Sequence, residues 1–388
     1  MDFGDTQAHR DLRSQVREFL RRELTAGVRE EVDGWWEVGE AWWGFLRKMG
    51  ARGWVVPTLP PEYGGLGASH LEHFIIAEEL GYAGAPGMEV TAGGPQCLIA
   101  GNMVAPALFR FGSPEQKKEH LLRIARGETE FAIGFTEPHA GSDLASLEIR
   151  ATPSGRDYIL SGEKVFSTAA HYSHYHWLAA RTDPAAPKHR GISLFIVDLT
   201  SPGITIRPIW TMSGLRTNQV FYDEVRVPGA SLVGEPGRGF YYIATTLDYE
   251  RMYTVSGLRR TLEMVVAHVA QGRPGPGVRG RLAELWVKLE VSRLLSYRLA
   301  WVLDRGLVPS YEASMLKALA AELAQGIAHI GLQALGLAGQ LRADSDGAPL
   351  RGRLERLYRH AVFASIGGGT SEVQRNIVAL RGLGLPRA

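Results

Sequence analysis

The sequence predicts an α+β protein in three parts: an N-terminal helical domain, a middle antiparallel β domain of barrel-like form, and a C-terminal four-helix bundle. Three observations predict it. Apolar residues recur at helical spacing through the first third of the chain. Near Glu130 the texture changes to short alternating or β-branched runs broken by Gly, Pro and Asp. After Gly239 long helical patterns return and continue to the end. The junctions divide the chain into 1–129, 130–235 and 236–388.

In the first part, Leu12, Val16, Phe19 and Leu20 lie between charged neighbours and predict an amphipathic helix within 5–24. A tryptophan-rich stretch (Trp35, Trp36, Trp42, Trp43) leads to the turn sequence PPEYGGLG at 60–67. Helical patterns resume at LEHFIIAEEL and at QKKEHLLRIARG, the latter opened by Ser113, Pro114, Glu115 and Gln116 as a helix start. Between them, Pro95, Gly101 and Pro106 interrupt the pattern of GGPQCLIAGNMVAPALF and predict a kinked or loosened helix. The runs YILSGEKVFST, HYHWLAART, GISLFIVDL and ITIRPIW read as strands. Beyond Gly239, the residues Phe240, Ile243, Leu247, Thr254, Leu258 and Leu262 form one helical stripe, with Glu250 at its edge and Arg251 inside it. GRPGPGVRG at 272–280 is a loop between helices. This order is not βαβ alternation, and no Gly-rich fingerprint follows a strand, so a dinucleotide fold is excluded.

Composition narrows the function classes. Of 388 residues, 45% are hydrophobic and 22% charged, enough apolar material for a large core. A net charge of +2 calls for no nucleic-acid partner. The single cysteine, Cys97, rules out an intrachain disulfide, fits a reducing cytoplasm, and reads as packing in its apolar setting. MDFGDTQAHR lacks a signal-peptide pattern, and no apolar run approaches the roughly 20 residues that span a bilayer. The expectation is a soluble cytoplasmic protein. His171, His174 and His176 crowd one strand region, but no cysteine or acidic ligand accompanies them at metal spacing, so no metal is expected. Neither a G-x-S-x-G elbow nor a P-loop pattern is present.

One turn carries groups suited to a ligand. FTEPHAGSD at 135–143 ends a strand in a turn bearing Thr136, Ser142 and Asp143 beside Ala140 and Gly141. Small residues let backbone amides approach a ligand, and hydroxyls can donate to ring heteroatoms. An ordinary polar loop has the same composition. The turn is nevertheless similar to the segment of acyl-CoA dehydrogenases that runs beneath the flavin ring. Four further motifs of that family occur in its order along the chain: PEYGGLG at 61–67, GEKVFST at 162–168, MSGLRTNQVFYDEVRVP at 212–228 and GTSEVQRNIVA at 369–379.

The resemblance implies FAD extended across a subunit interface, with an oligomer of like or unlike chains, dimer or tetramer. It places Phe135 and Thr136 by the isoalloxazine, Ser142 near the flavin and the substrate thioester, and Thr168 at the ring's reactive nitrogen. Phe166 stands where many members have tryptophan and keeps a stacking face without the indole N–H. Gln333, Gly336, Thr370 and Glu372 match positions that reach the adenine and pyrophosphate part of FAD. The implied activity is α,β-dehydrogenation of an acyl-CoA, with an electron-transferring flavoprotein as electron acceptor.

That chemistry needs a base for the α-proton. In many members a glutamate precedes the GTS of the last motif; here IGGGTSEVQ puts Gly368 there, and a glycine cannot take a proton. A minority carries the base in an LD-x-ER helix, and LDYER at 247–251 places Glu250 at that position. Read from the residues alone, Glu250 is equally an ion-pair partner or an edge carboxylate in solvent. With Gly368 vacant, the resemblance makes Glu250 the base and Asp248 and Arg251 substrate-positioning residues.

Two departures bear on assembly and substrate. The arginine-bearing RxQFG-type segment of the family has no residue-by-residue match in HVAQGRPGPGVRGRLAE, where Arg273, Arg279 or Arg281 could substitute, and Leu337 replaces a glycine common after Gly336. These losses resemble bacterial members that pair two different chains and act on bulky acyl groups. The helix breakers around Gly101 and the glycines at 367–369 fit a roomy acyl pocket. A subunit that completes another chain's flavin site, an oxidase using O₂, and a dehydrogenase of carrier-protein thioesters are the alternative readings.

Overall fold

The computed structural model describes residues 4–34, 38–86, 98–250, 254–272, 277–307, 309 and 311–386, with the side chains of 33, 34 and 248–250 excepted. Arg251, Pro95, Cys97 and Arg273, and the side chains of Asp248 and Glu250, therefore lie outside the described residues.

Helices α1 (Gln7–Glu23), α2 (Ala26–Gly34), α3 (Glu40–Gly50) and α4 (His70–Ala83) come first. A π-helical turn, Ala100–Val104, runs into α5 (Ala105–Phe111), and α6 (Pro114–Ala125) follows. The strands are β1 (Phe131–Gly134), β2 (Arg150–Ser154), β3 (Asp157–Lys164), β4 (Tyr175–Arg181), β5 (Ile192–Asp198), β6 (Ile204–Trp210), β7 (Arg216–Pro228) and β8 (Leu232–Val233). The chain ends in α7 (Gly239–Glu250), α8 (Ser256–Ala270), α9 (Val278–Asp304), α10 (Glu312–Leu335), α11 (Arg353–Ala364) and α12 (Ser371–Ile377).

The helix starts follow from local chemistry. Thr6, Ser69 and Ser113 each accept from the backbone N–H three residues on, and His9, Glu72 and Gln116 reach back to close the capping box. Such caps satisfy backbone donors that have no partner inside the helix. At α4 the Asp304 carboxylate accepts from the His70 and Leu71 amides as well, at 2.5 and 3.2 Å.

Two compact units emerge. One comprises Met1–Asp33, Ser69–Cys97 and Arg251–Ala388. Its core is shared by four helices: Leu258 and Leu262 of α8, Leu289 of α9, Ile327 of α10 and Leu357 of α11 are all buried. Also in this unit, Arg13 bridges Asp5, Glu78 and Glu79, and its guanidinium donates to Tyr297 at 2.7 Å. Burial opposes the charge on Arg13, but its carboxylate partners win and hold it protonated.

The other unit comprises Gly34–Ala68 and Leu98–Glu250 and contains the whole sheet. Strand order is β6-β7-β3-β2-β4-β5-β8, with β1 pairing β4. The sheet is open among the described residues, with β6 and β8 at its ends, so the expected barrel-like sheet does not close. Nor is it wholly antiparallel. Strand β1 runs parallel to β4 with Phe131 opposite Tyr175, and β2 meets β4 in parallel at Arg150 and Arg181. Parallel pairing needs a long crossover, and the chain between β1 and β4 contains β2 and β3. Strand β5 is buried along almost its whole length, as expected where both faces are covered.

Helix α7 packs on β5 and β4 through Tyr242, Ile243 and Thr246, and Trp177 Nε1 donates to Thr246 Oγ1 at 3.4 Å. The single stripe expected from Phe240 to Leu262 is thus two helices, α7 and α8. The reason is that the two halves are buried in different cores: α7 against the sheet, α8 among helices.

Candidate active site

Strand β1 delivers the chain to the FTEPHAGSD turn. Gly134 leaves it under tight constraint, since a Cβ there would lie 2.7 Å from the His176 ring. Phe135 is buried, and Glu137 and Ala140 exchange backbone hydrogen bonds of 3.1 Å that pinch Pro138 and His139 into the turn. Gly141, Ser142 and Asp143 then run exposed along the surface.

The GEKVFST segment lies alongside. Val165 N–H donates to Thr136 C=O at 2.9 Å, and Lys164 Nζ donates to Phe135 C=O at 2.9 Å. Phe135, Thr136, Phe166 and Thr168 are therefore brought together in one place, although β2 and β3 lie between them in sequence. Phe166 has φ of 58° and is 59% exposed. A bulky residue in the left-handed region is strained, and such strain gathers at binding sites. The neighbouring backbone holds it there. Ser167 N–H donates to Asn218 C=O at 2.9 Å, and the Asn218 amide returns to Ser167 C=O at 3.0 Å. Thr168 and Thr217 hydroxyls stand 3.2 Å apart. Among the described residues the Thr136 N–H donates to no protein group.

Sequence reasoning passed over the polar residues beneath this surface. Glu137 and Lys164 are fully buried and paired at 2.8 Å. The Glu137 carboxylate also accepts from the amides of Glu148 at 2.6 Å and Ile149 at 3.0 Å. Burial pulls the Lys164 ammonium down to about 8, against the opposing pull of Glu137, so it stays charged at neutral pH. The sequence signal was a lysine at an inward position of β3, a residue almost never buried without a partner. The three histidines have separate engagements. His174 Nδ1 accepts from Glu130 N–H, His171 meets the Asn218 amide, and His176 pairs with the Tyr222 hydroxyl. Burial lowers His176 to about 3, which keeps it neutral.

Of the expected catalytic group, the backbone of Glu250 is the last residue of α7, and its side chain is outside the described residues with that of Asp248. The helix expected to be loosened around Gly101 contains the π-helical turn Ala100–Val104, and a Cβ at Gly101 would lie 2.7 Å from Val55 C=O, so the missing side chain admits backbone. Gly367 is filled in the same way by the Phe363 ring at 2.5 Å.

The remaining expected residues lie in the helical unit. Gln333, near the end of α10, accepts from Arg281 at 3.1 Å, and Gly336 and Leu337 follow it in exposed positions. Thr370 caps α12, accepting from Val373 N–H at 3.2 Å, and exposed Glu372 sits in the first turn. Hydrogen bonds from its own amide and from Thr370 lower the Glu372 carboxyl. Gly368 and Gly369 adopt φ of 67° and 92°.

A strained aromatic face, a hydroxyl pair and a free amide beside a glycine-bearing turn suit a planar heteroaromatic ring that needs stacking and hydrogen bonds to its edge. The comparisons identify the class that uses such a site. The chain matches the N-terminal domain of acyl-CoA dehydrogenases over residues 6–128, the middle domain over 132–225 and the C-terminal domain over 237–383. It is 37% identical to acyl-CoA dehydrogenase FadE26 of Mycobacterium tuberculosis, covering 100% of both chains. Among solved structures, the Tcur3481-Tcur3483 steroid ACAD aligns with a TM-score of 0.89 at 36% identity, and the ChsE4-ChsE5 complex from Mycobacterium tuberculosis with 0.88 at 36%, each covering 100% of both chains.

The chain belongs to the acyl-CoA dehydrogenase family. It is an oxidoreductase of the CH–CH class, and the family's cofactor is FAD. No described helix is long and apolar enough to cross a membrane.

Proposed function

We propose that this chain dehydrogenates an acyl-CoA between its α and β carbons, with Glu250 as the base that takes the α-proton. The observation that carries the reading is the juxtaposition of the FTEPHAGSD and GEKVFST segments, joined by the 2.9 Å bond from Val165 to Thr136. Phe135, Thr136, Phe166 and Thr168 hold the ring end of FAD, Phe166 by its exposed face and Thr168 by its hydroxyl. Ser142 serves both the ring and the thioester. Gln333, Gly336, Thr370 and Glu372 take the adenine and pyrophosphate end. When bound, FAD accepts the β-hydrogen as hydride.

Glu250 is the candidate base because the alternative position is Gly368, which has no side chain. It lies in α7, which packs on β5 and β4. Asp248 and Arg251 position the substrate. The similarity to the steroid ACAD supports a bulky acyl group. An electron-transferring flavoprotein is the proposed electron acceptor.

The test is an anaerobic titration of the FAD-loaded protein with acyl-CoAs of graded size. Bleaching of the flavin by a bulky thioester is the expected result, and a marked preference for butyryl-CoA would remove the bulky-substrate reading. Glu250→Gln should keep FAD and slow flavin reduction by about 10²–10⁴. A parent rate of reduction in that variant would show that the base lies elsewhere.

One observation favours a second reading. The ChsE4-ChsE5 structure is a complex of two chains, and this sequence lacks the RxQFG-type segment. A chain that holds FAD only when mixed with a different partner chain would make it one half of a hetero-oligomer.

A further inference from the structure

The buried ion pair beneath the flavin-facing turn has an unusual connection to it. Lys164 Nζ is shared between the Glu137 carboxylate at 2.8 Å and the carbonyl of Phe135 at 2.9 Å. That carbonyl belongs to the peptide whose other end is the Thr136 N–H, which donates to no protein group among the described residues. A cation bonded to one end of a peptide polarises it and makes its N–H a stronger donor. Both charges are out of water, where such effects are largest. Meanwhile Glu137 accepts from Glu148 and Ile149, so the same pair fixes the far side of the turn.

We propose that Lys164, held by Glu137, is a positioning residue that polarises the Phe135–Thr136 peptide, so that the Thr136 N–H stabilises negative charge on the reduced flavin and raises its reduction potential. This deepens the proposed function and rests on the reading that Thr136 faces the ring. The pair itself does not need to touch the cofactor. A purely structural pair would brace the turn equally well through Glu137 and would leave the potential alone.

The experiment compares two variants by the two-electron midpoint potential and absorption spectrum of the bound flavin. Lys164→Met with Glu137→Gln removes both charges at similar volume, avoiding the buried orphan charge that a single replacement of Lys164 would leave. Glu137→Gln alone keeps the ammonium and its bond to Phe135. The double variant should reduce about three- to tenfold less favourably, a negative shift of about 15–30 mV at 29.6 mV per tenfold. Glu137→Gln should stay at or above the parent potential. Equal shifts in both variants, or none in either, overturn the proposal. Should the double variant not hold flavin, Glu137→Gln decides alone, and a potential below the parent's overturns it. Thr168→Val separates this failure from failure of the site reading. If it leaves the flavin spectrum and potential unchanged, the turn does not face the ring. If it shifts them while the Lys164 variants do not, only the polarisation is wrong.

Discussion

Glu130 makes a quantitative claim about stability. It is 1% exposed, at the junction of α6 and β1, and its Oε1 accepts from the Ala100 amide at 2.6 Å and the Phe131 amide at 3.0 Å. Burial raises the carboxyl from 4.5 to about 8, with the amide donors of Phe131, Ala100 and Ile99 pulling the other way. The folded protein then carries a proton that the unfolded chain has already lost. A raised acid stabilises fully below its unfolded value of 4.5, and that contribution drains as pH rises until it is gone above about 8. The slope within this window is roughly 1 kcal/mol per pH unit, a few kcal/mol in all. For a unit of this size each kcal/mol moves the midpoint by about 2–4 °C. Glu130→Gln keeps an acceptor for the same amides and cannot ionise. Thermal unfolding of parent and variant from pH 5 to 8.5 should show near-equal midpoints at pH 5. The variant should gain about 3 °C per pH unit on the parent above that, by the same conversion. Taking the difference between the two proteins cancels every other titrating group. A difference that does not change with pH would refute the burial argument.

Two further substitutions test the site's frame. Gly65→Ala puts a Cβ 2.0 Å from Leu59 C=O, a backbone clash that should cost about 1–3 kcal/mol by denaturant unfolding; an unchanged midpoint would show that the turn yields freely. Phe166→Gly relieves a left-handed residue of φ 58°, a strain of about 1–2 kcal/mol offset by the greater freedom of glycine when unfolded. Its thermal midpoint should barely move while FAD binds more weakly, and unaltered FAD affinity would remove Phe166 from the ring site.

Much of the fold was legible because local chemistry and tertiary structure agree. The cap at Ser113 with Pro114 and Gln116 starts α6 as expected, and GISLFIVDL and ITIRPIW become β5 and β6. What failed was long-range. Nothing in FAIG says that it pairs in parallel with HYHW, because parallel register is set by crossovers and not by alternation. The stripe from Phe240 to Leu262 failed for a related reason. Periodicity reports that a face is buried but not what buries it, and here a sheet and a helical core each claim half.

The site was legible to the depth of its motifs. Composition alone left FTEPHAGSD an ordinary turn; only its pairing with GEKVFST, invisible in one dimension, makes a surface of it. Gly101, expected only as a helix breaker, has a packing role as well. Small residues are often demanded by backbone passing close by, and here the Val55 carbonyl lies where a Cβ at Gly101 would be. The proposed relocation of the base to Glu250 can be set against the backbone at Gly368. Gly368 sits at φ 67°, in a turn tied by Gln374 Nε2 to the carbonyls of Gly368 and Gly369 at 3.2 and 3.3 Å. A glutamate there would carry the left-handed penalty of about 1–2 kcal/mol, whereas position 250 lies in α7. The backbone at 368 thus disfavours a side chain there, in keeping with the proposal that Glu250 and not residue 368 serves as the base.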